Sequence, residues 1–175
     1  MATAIVALDL HDIARLACTY GLGGYWVVQP LRSQREIARR IVRYWTEGAG
    51  KRMNPDREIA LRTLRIVADL GEILPFLENP FFIATSASPP AVTITLSETA
   101  QLLREGKRDL VLLLGTGWGL CPEVFVGADA ILEPICPGRY NHLSVRSAAS
   151  IYVDRLMNLF CAVEPTHVPP RRELC

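Results

Sequence analysis

The residues best placed to do chemistry stand in the last third of the chain. Gly115-Thr-Gly-Trp-Gly119 follows the apolar run Asp109-Leu-Val-Leu-Leu-Leu114, and Pro134 to His142 follows a second apolar run, Ala130-Ile-Leu-Glu133. Two strands that each open into a glycine- or proline-rich loop make a cofactor pocket from backbone groups rather than from charged side chains. Upstream, His11, Asp12 and Arg15 share one short segment. They offer an imidazole that can accept a proton and a guanidinium that grips phosphate. Adjacent residues on a helix point in different directions, so His11 and Asp12 do not form a metal pair, and no metal is expected.

Three cofactor readings of the glycine loop compete with a purely structural turn. A dinucleotide site needs Gly-x-Gly-x-x-Gly opening a helix, with a carboxylate about 20 residues on. The spacing here differs, and Pro122 lies just beyond. A Rossmann-like class I methyltransferase carries Gly-x-Gly-x-Gly after its first strand, and Glu133 would be its ribose-binding acid. The chain after Gly119 is too short for the rest of that sheet. A structural turn leaves three glycines in five residues without a reason, because glycine is the costliest residue to order. The third cofactor reading is a C-terminal site whose loops thread through one another, and on the residues of the loop alone all four readings stay open.

The elements that position these loops follow from local patterns. Asp9 to Gly21 predicts a helix capped by Asp9 and ended by a left-handed Gly21. Tyr25-Trp-Val-Val28 predicts a strand ended by Pro30. Ser33-Gln-Arg-Glu36 predicts a capping box for a helix reaching Thr46, with Ile37, Ile41, Val42 and Trp45 on one face. Gly48 to Met53 reads as a loop, and Asn54-Pro55 as the start of a helix reaching about Leu70, with a short helical stretch from Glu72 to Leu77. Phe81 to Ala84 is a strand, Ser86 to Pro90 a loop, and Ser97 to Glu105 a helix. A closing helix spans Leu143 to about Phe160. Strands alternating with helices imply an α/β fold with a mainly parallel sheet.

Composition sets the class. At 175 residues, 50% hydrophobic and 21% charged, the chain is most simply one globular domain. No apolar run reaches the roughly 18 residues of a membrane span and no secretory signal is visible, so no membrane partner is expected and the cytoplasm is the expected compartment. Five scattered cysteines argue against a disulfide framework and a zinc site. Cys18 and Cys161 sit in apolar helical contexts and are expected in the core, with Cys175 exposed. Net charge is only +1, yet ten basic and four acidic residues fall between Arg32 and Arg65. That excess permits an RNA-facing surface; a solvated helix face would explain it equally well.

The motifs together resemble the SPOUT class of RNA methyltransferases. Members carry a strand ending in a glycine loop, an Ile-Pro-like turn and a Leu-Asn-Val-Ser-like helix start. This chain has Leu-Leu-Gly-Thr-Gly-Trp-Gly-Leu, Glu133-Pro-Ile-Cys-Pro-Gly138 and Asn141-His-Leu-Ser-Val-Arg-Ser-Ala148. In the N-terminal half, Asp9-Leu-His-Asp-Ile-Ala-Arg15, Thr19-Tyr-Gly21, Asn54-Pro-Asp-Arg57 and Ala84-Thr-Ser-Ala87 resemble one bacterial subfamily, sometimes fused behind the tRNA guanine-N1 methyltransferase. The subfamily usually begins with a further strand and a His-Tyr-Pro-Val-like loop, absent here. A late start codon or a shortened copy would each account for that.

The resemblance implies a SPOUT-like domain over 1–163, with a mainly parallel sheet flanked by helices, a C-terminal trefoil knot, and a flexible tail over 164–175. It implies a homodimer joined through the closing helix, whose face Leu143, Ala148, Ile151, Tyr152, Leu156, Leu159 suits that role or packing on its own sheet. It implies S-adenosylmethionine as cofactor and methyl transfer to RNA, tRNA or rRNA. The alternative is a catalytically inactive module of the same fold that binds RNA or protein. The cofactor residues carried over are Leu114, Gly115, Thr116, Gly117, Gly119, Leu132, Glu133, Pro134, Leu143 and Ser144. Glu133 would face the sulfonium or cap a loop, and Trp118 would wall the pocket or pack in the core. Arg15 matches the arginine of the first SPOUT motif, with His11 as a candidate proton acceptor. Arg15, Arg139, Tyr140, Asn141 and Arg146 are the RNA-binding candidates.

Overall fold

In the computed structural model, which describes residues 3–136 and 140–162, the backbone divides into two units between Phe76 and Leu77. Each unit carries a parallel set of strands. Arg139 and the tail over 164–175, with Cys175, lie outside the described residues.

The first unit opens with helix α1, Ala7–Thr19, whose Leu10, Ala14 and Ala17 make a buried stripe at helical spacing. Asp9 lies within the first turn rather than at the cap, which is Val6. Its carboxylate there still faces the positive end of the helix dipole. Gly21 takes the expected left-handed conformation, φ 63°. Cys18 is exposed, against expectation, because it flanks the buried stripe rather than joining it.

Strand β1, Tyr25–Val28, is followed by α2, Arg32–Thr46. Ser33 to Glu36 does not form a capping box. The helix starts at Arg32 with Leu31 as N-cap, and Glu36 pairs instead with Arg32 at 2.9 Å. Once Ser33 is helical, its hydroxyl no longer stands ahead of the free N–H groups. The inward face is Ala38, Ile41, Val42 and Trp45; Ile37 is 42% exposed.

The expected loop after Gly48 contains a short helix α3, Ala49–Met53. Helix α4, Pro55–Arg62, starts as expected, with Arg57 N–H donating to Asn54 Oδ1 at 3.0 Å. It ends well before Leu70. Leu64–Val67 is instead strand β2, parallel to β1 with Tyr25 opposite Leu64 and Val28 opposite Val67. The β-branched Ile66-Val67 pair favours the strand, and β1 supplies partners for the backbone groups. A 3₁₀ helix over Leu70–Phe76 ends the unit.

The second unit runs β3 (Phe81–Ala84), α5 (Leu96–Glu105), β4 (Leu110–Leu113), α6 (Pro122–Gly127), β5 (Ala130–Ile131) and α7 (Val145–Cys161). Its strands lie in the order β4-β3-β5, all parallel. Thr95 and Glu98 cap α5 reciprocally: Glu98 N–H donates to Thr95 Oγ1 at 3.2 Å and Thr95 N–H to Glu98 Oε2 at 2.8 Å. Ile83, Ile94, Ala130, Leu132 and Tyr152 form the core.

On α7 the buried residues are Ala149, Tyr152 and Val153. Of the face expected there, Tyr152 is buried, Leu143 is 46% exposed, and Ala148, Ile151, Leu156 and Leu159 are partly exposed. Cys161 is exposed, against expectation, beyond the stretch of α7 that is buried.

Candidate functional site

In the second unit the chain steps from β3 to β4 on one side and then returns past β3 to β5 on the other. All three strands point the same way, so the segments after Ala84, Leu113 and Ile131 emerge at one edge. The carboxyl edge of a parallel sheet, where strand order reverses, is where such sheets bind ligands.

These segments are tied to one another. Thr85 donates twice to Leu113 O, from its N–H at 3.1 Å and from Oγ1 at 2.8 Å. Asn141 Nδ2 donates to Ala87 O at 3.1 Å and to Cys136 O at 2.8 Å. It thereby pins the loop after β5 to the loop after β3. Asn141, named above for RNA contact, has a structural task as well.

The glycine loop is folded tightly on itself. Gly119 N–H donates to Thr116 O at 3.1 Å, and Gly117 and Gly119 have φ of 59° and 90°. A Cβ on Gly115 would lie 2.4 Å from Gly119 C and Leu120 N. Glycine at these three positions is therefore required by the backbone path itself. A loop closed in this way presents main chain at the sheet edge, which suits an adenine held by backbone groups. Leu114 and Pro134, apolar residues of the segments after β4 and β5, are both half-buried. The residues present fit S-adenosylmethionine.

Some expected cofactor residues have internal tasks. Leu132 is fully buried; its N–H donates to Ala84 O at 2.9 Å, and Glu133 N–H donates to Ile94 O at 3.1 Å. Leu96 N–H donates to Glu133 Oε1 at 2.8 Å, so this carboxylate caps the first turn of α5. Tyr152 OH donates to Glu133 O at 3.0 Å. Burial raises the Tyr152 phenol above its ordinary value, which keeps it a neutral donor. Ser144 caps α7, accepting from Ser147 N–H at 3.3 Å. Trp118 is 93% exposed, which removes the core-packing reading, and Tyr140 is 82% exposed with its ring 5.4 Å from that of His142. Arg146 is partly exposed in the first turn of α7.

His11 and Arg15 belong to the first unit, on α1. Arg15 is exposed. His11 is half-buried, its ring edge-on to Trp45 at a centroid distance of 5.5 Å, while the Arg57 guanidinium lies 4.4 Å from the Trp45 ring centre. Burial, and then the Arg57 charge, hold the His11 imidazole below its ordinary value of 6.5, with Asp12 opposing. It is therefore neutral near pH 7. Among the described residues, His11 Nδ1 and Arg57 Nε are both buried without a hydrogen-bond partner. Sequence reasoning missed that Trp45 and Arg57 enclose His11. Asn54-Pro-Asp-Arg57 was visible as a motif, but its contact with α1 is a tertiary fact.

Residues 1–158 match the family model described as SAM-dependent RNA methyltransferase. The chain belongs to that family. It is 44% identical over 162 residues to a tRNA (guanine-N(1)-)-methyltransferase of Nitratidesulfovibrio vulgaris, an alignment covering 89% of this chain and 37% of the relative. The chain thus spans little more than a third of that relative's length. Among solved structures it is similar to a probable methylase family protein of Haemophilus influenzae, with TM-score 0.65, 17% identity, and coverage of 95% of this chain and 69% of that one. It is also similar to the SpoU methyltransferase AviRb of Streptomyces viridochromogenes, solved with AdoMet, with TM-score 0.58, 12% identity, and coverage of 93% and 56%. These likenesses show a SPOUT-type α/β fold, parallel strands flanked by helices, as the motifs implied. The family is SAM-dependent, which agrees with the cofactor expected from sequence. Among the described residues no helix is long and apolar enough to cross a membrane.

Proposed function

We propose that this chain transfers the methyl group of S-adenosylmethionine to RNA. The observation that carries the proposal is the carboxyl edge of the second unit. There a self-closed glycine loop and two mutually pinned loops present backbone, in a chain whose family is SAM-dependent. When bound, S-adenosylmethionine supplies a methyl group on a sulfonium that needs alignment rather than activation. Leu114, Gly115, Thr116, Gly117, Gly119, Pro134 and Leu143 line the cofactor side, with Leu132, Glu133 and Ser144 fixing the elements around it. We extend the reading to a trefoil knot formed by the loops after β4 and β5, within one domain over 1–163.

For the acceptor, Arg15 positions a phosphate, because a guanidinium offers only hydrogen-bond donors, in a planar fork that matches phosphate oxygens. His11, neutral and partly desolvated, accepts the proton that the nucleophile loses. Tyr140, Asn141 and Arg146, with Arg139, face the RNA. A homodimer formed through α7 fits the exposed Leu143 just ahead of it and the partly exposed Ile151, Leu156 and Leu159 on it. The cytoplasm is the proposed compartment. Family membership favours an enzyme over an inactive binding module. The named relative acts on tRNA guanine, but this chain matches 37% of it, so the substrate is argued only as far as RNA, tRNA or rRNA.

The test is calorimetry with S-adenosylmethionine alongside transfer of labelled methyl to bulk RNA. Submillimolar binding that is lost in Gly117→Asp, with label entering RNA, is the expected result. No binding by the folded protein would refute the reading. Arg15→Ala should abolish transfer and spare cofactor binding; retained turnover would remove Arg15 from the site.

A further inference from the structure

The excess of arginine between Arg32 and Arg65 resolves, residue by residue, into cations that serve the fold and a few that do not. Arg32 pairs with Glu36, and Lys51 and Arg62 both pair with Glu58. Arg35 Nη1 donates to the carbonyls of Gln29 and Pro30, and Arg39 Nη2 donates to Ile66 O. Arg57 stacks over Trp45, and Arg65 lies over Phe76 and Trp26. That leaves Arg40, Arg43 and Arg52 without a partner among the described residues, and all three are exposed.

Two of these are not scattered. Arg40, Arg43, Tyr44 and Glu47 stand three, four and seven positions apart, one outward face of α2. With Gly48 they line a shallow, nearly flat hollow in the surface. Gly48 is held to a bare backbone there, because a Cβ would meet Tyr44 O at 2.8 Å. Tyr44 is 46% exposed, and its ring is braced edge-on against Trp45 at 5.2 Å. Glu47 is the one acid lining the hollow, and it makes no ion pair with either arginine within 4.0 Å.

We propose that this face of α2 is a docking surface for the RNA phosphodiester backbone, with Arg40 and Arg43 each gripping a phosphate and Tyr44 offering its ring to a nucleotide. The inference rests on the reading of the chain as an RNA methyltransferase and extends it to how the substrate is held. Unpaired guanidinium groups at one-turn spacing match consecutive anions, and a braced, half-exposed aromatic beside them is the usual companion of a backbone-binding groove. None of the residues lining it is among the cofactor candidates, so its proposed contribution is to RNA affinity.

The test measures binding of unfractionated tRNA to the full chain across a salt series, for wild type and for Arg40→Ala/Arg43→Ala. The control Arg32→Ala/Lys107→Ala removes equal charge at exposed positions outside the hollow. Two lost phosphate contacts should make the slope of log K against log salt shallower by about 1.4–1.8, with the control close to wild type. Cofactor affinity and kcat should hold while KM for RNA rises. Equal slopes for the variant and wild type, or equal losses in variant and control, would overturn the proposal. Failure of all forms to transfer methyl, with the slopes still separated, would instead count against the methyltransferase reading. Should the alanine pair not fold, Arg40→Gln/Arg43→Gln carries the same comparison.

Discussion

Alanine at Gly115 and alanine at Gly119 test different reasons for glycine in one loop. At Gly115 a Cβ would sit 2.4 Å from Gly119 C and Leu120 N and 2.7 Å from Gly119 Cα, where ordinary contact begins at 3.4 Å. All three obstacles are backbone, so no rotamer change relieves them, and the loop must open by roughly 1 Å at a cost of about 1–3 kcal/mol. For a chain of this length each kcal/mol lowers the melting temperature by about 2–4 °C. The opened loop would no longer present its main chain where we propose that the cofactor binds. Loss of about 1.4 kcal/mol of binding would already be tenfold, and Gly115→Ala is expected to lose at least about that much. Gly119 has open space around the corresponding Cβ and a φ of 90°. Gly119→Ala therefore meets only backbone strain, about 1–2 kcal/mol, with no steric block. Calorimetry with S-adenosylmethionine and thermal unfolding of the free protein read the two effects separately. If Gly115→Ala binds and melts like wild type, the loop does not close on itself. If Gly119→Ala proves the more damaging to binding, space is not what fixes the loop.

Glu133→Ala should destabilise the protein by about 1–2 kcal/mol in urea unfolding, because Leu96 N–H loses its charged acceptor, while cofactor affinity stays near wild type; a large affinity loss with unchanged stability would place the carboxylate on the cofactor. Thr95→Ala removes half of the reciprocal cap on α5 and should cost about 1 kcal/mol by the same measurement. Asn141→Ala frees two loops at once and should weaken S-adenosylmethionine binding more than it lowers the melting temperature; the reverse ranking would make Asn141 merely structural. For His11 the folded-state value lies below 6.5, so the unfolded chain binds the proton more readily. Its stability contribution is complete above pH 6.5 and is lost as pH falls through the folded value. Wild type should therefore lose more stability than His11→Asn between pH 8 and pH 5, and parallel losses would show that His11 is not desolvated.

What the sequence disclosed depended on how local the cause was. Tyr25–Val28 and Phe81–Ala84 were legible to the residue, because short β-branched and aromatic runs between turn signals have few alternatives. Asn54-Pro55 was legible as a helix start for the same reason. The end of that helix was not. Leu64–Val67 becomes a strand because β1 lies beside it, and nothing within Arg62 to Leu70 announces that pairing. Ser33 and Glu36 carry the sequence pattern of a capping box, yet the box that forms is Thr95 with Glu98. Both pairs have the right spacing. The choice is made by where the preceding chain leaves the first free N–H groups, which is set by packing.

The same distinction separates the proposed cofactor side from the proposed acceptor side. A pocket made of backbone must spend glycine where the path is tight or left-handed, and glycine is visible in a sequence whatever surrounds it. Gly115, Gly117 and Gly119 each meet one of those demands. An acceptor site is made of side chains whose chemistry is set by neighbours from other elements. His11 alone is an ordinary imidazole. Trp45 from α2 and Arg57 from α4 turn it into one that stays neutral, and neither stands near it in sequence. Arginine shows the problem most sharply. The ten cations from Arg32 to Arg65 look alike in composition, and only their partners divide those that brace the fold from Arg40, Arg43 and Arg52. A charge count therefore overstates a nucleic-acid surface; subtracting the cations already satisfied within the protein leaves the part that can respond to salt.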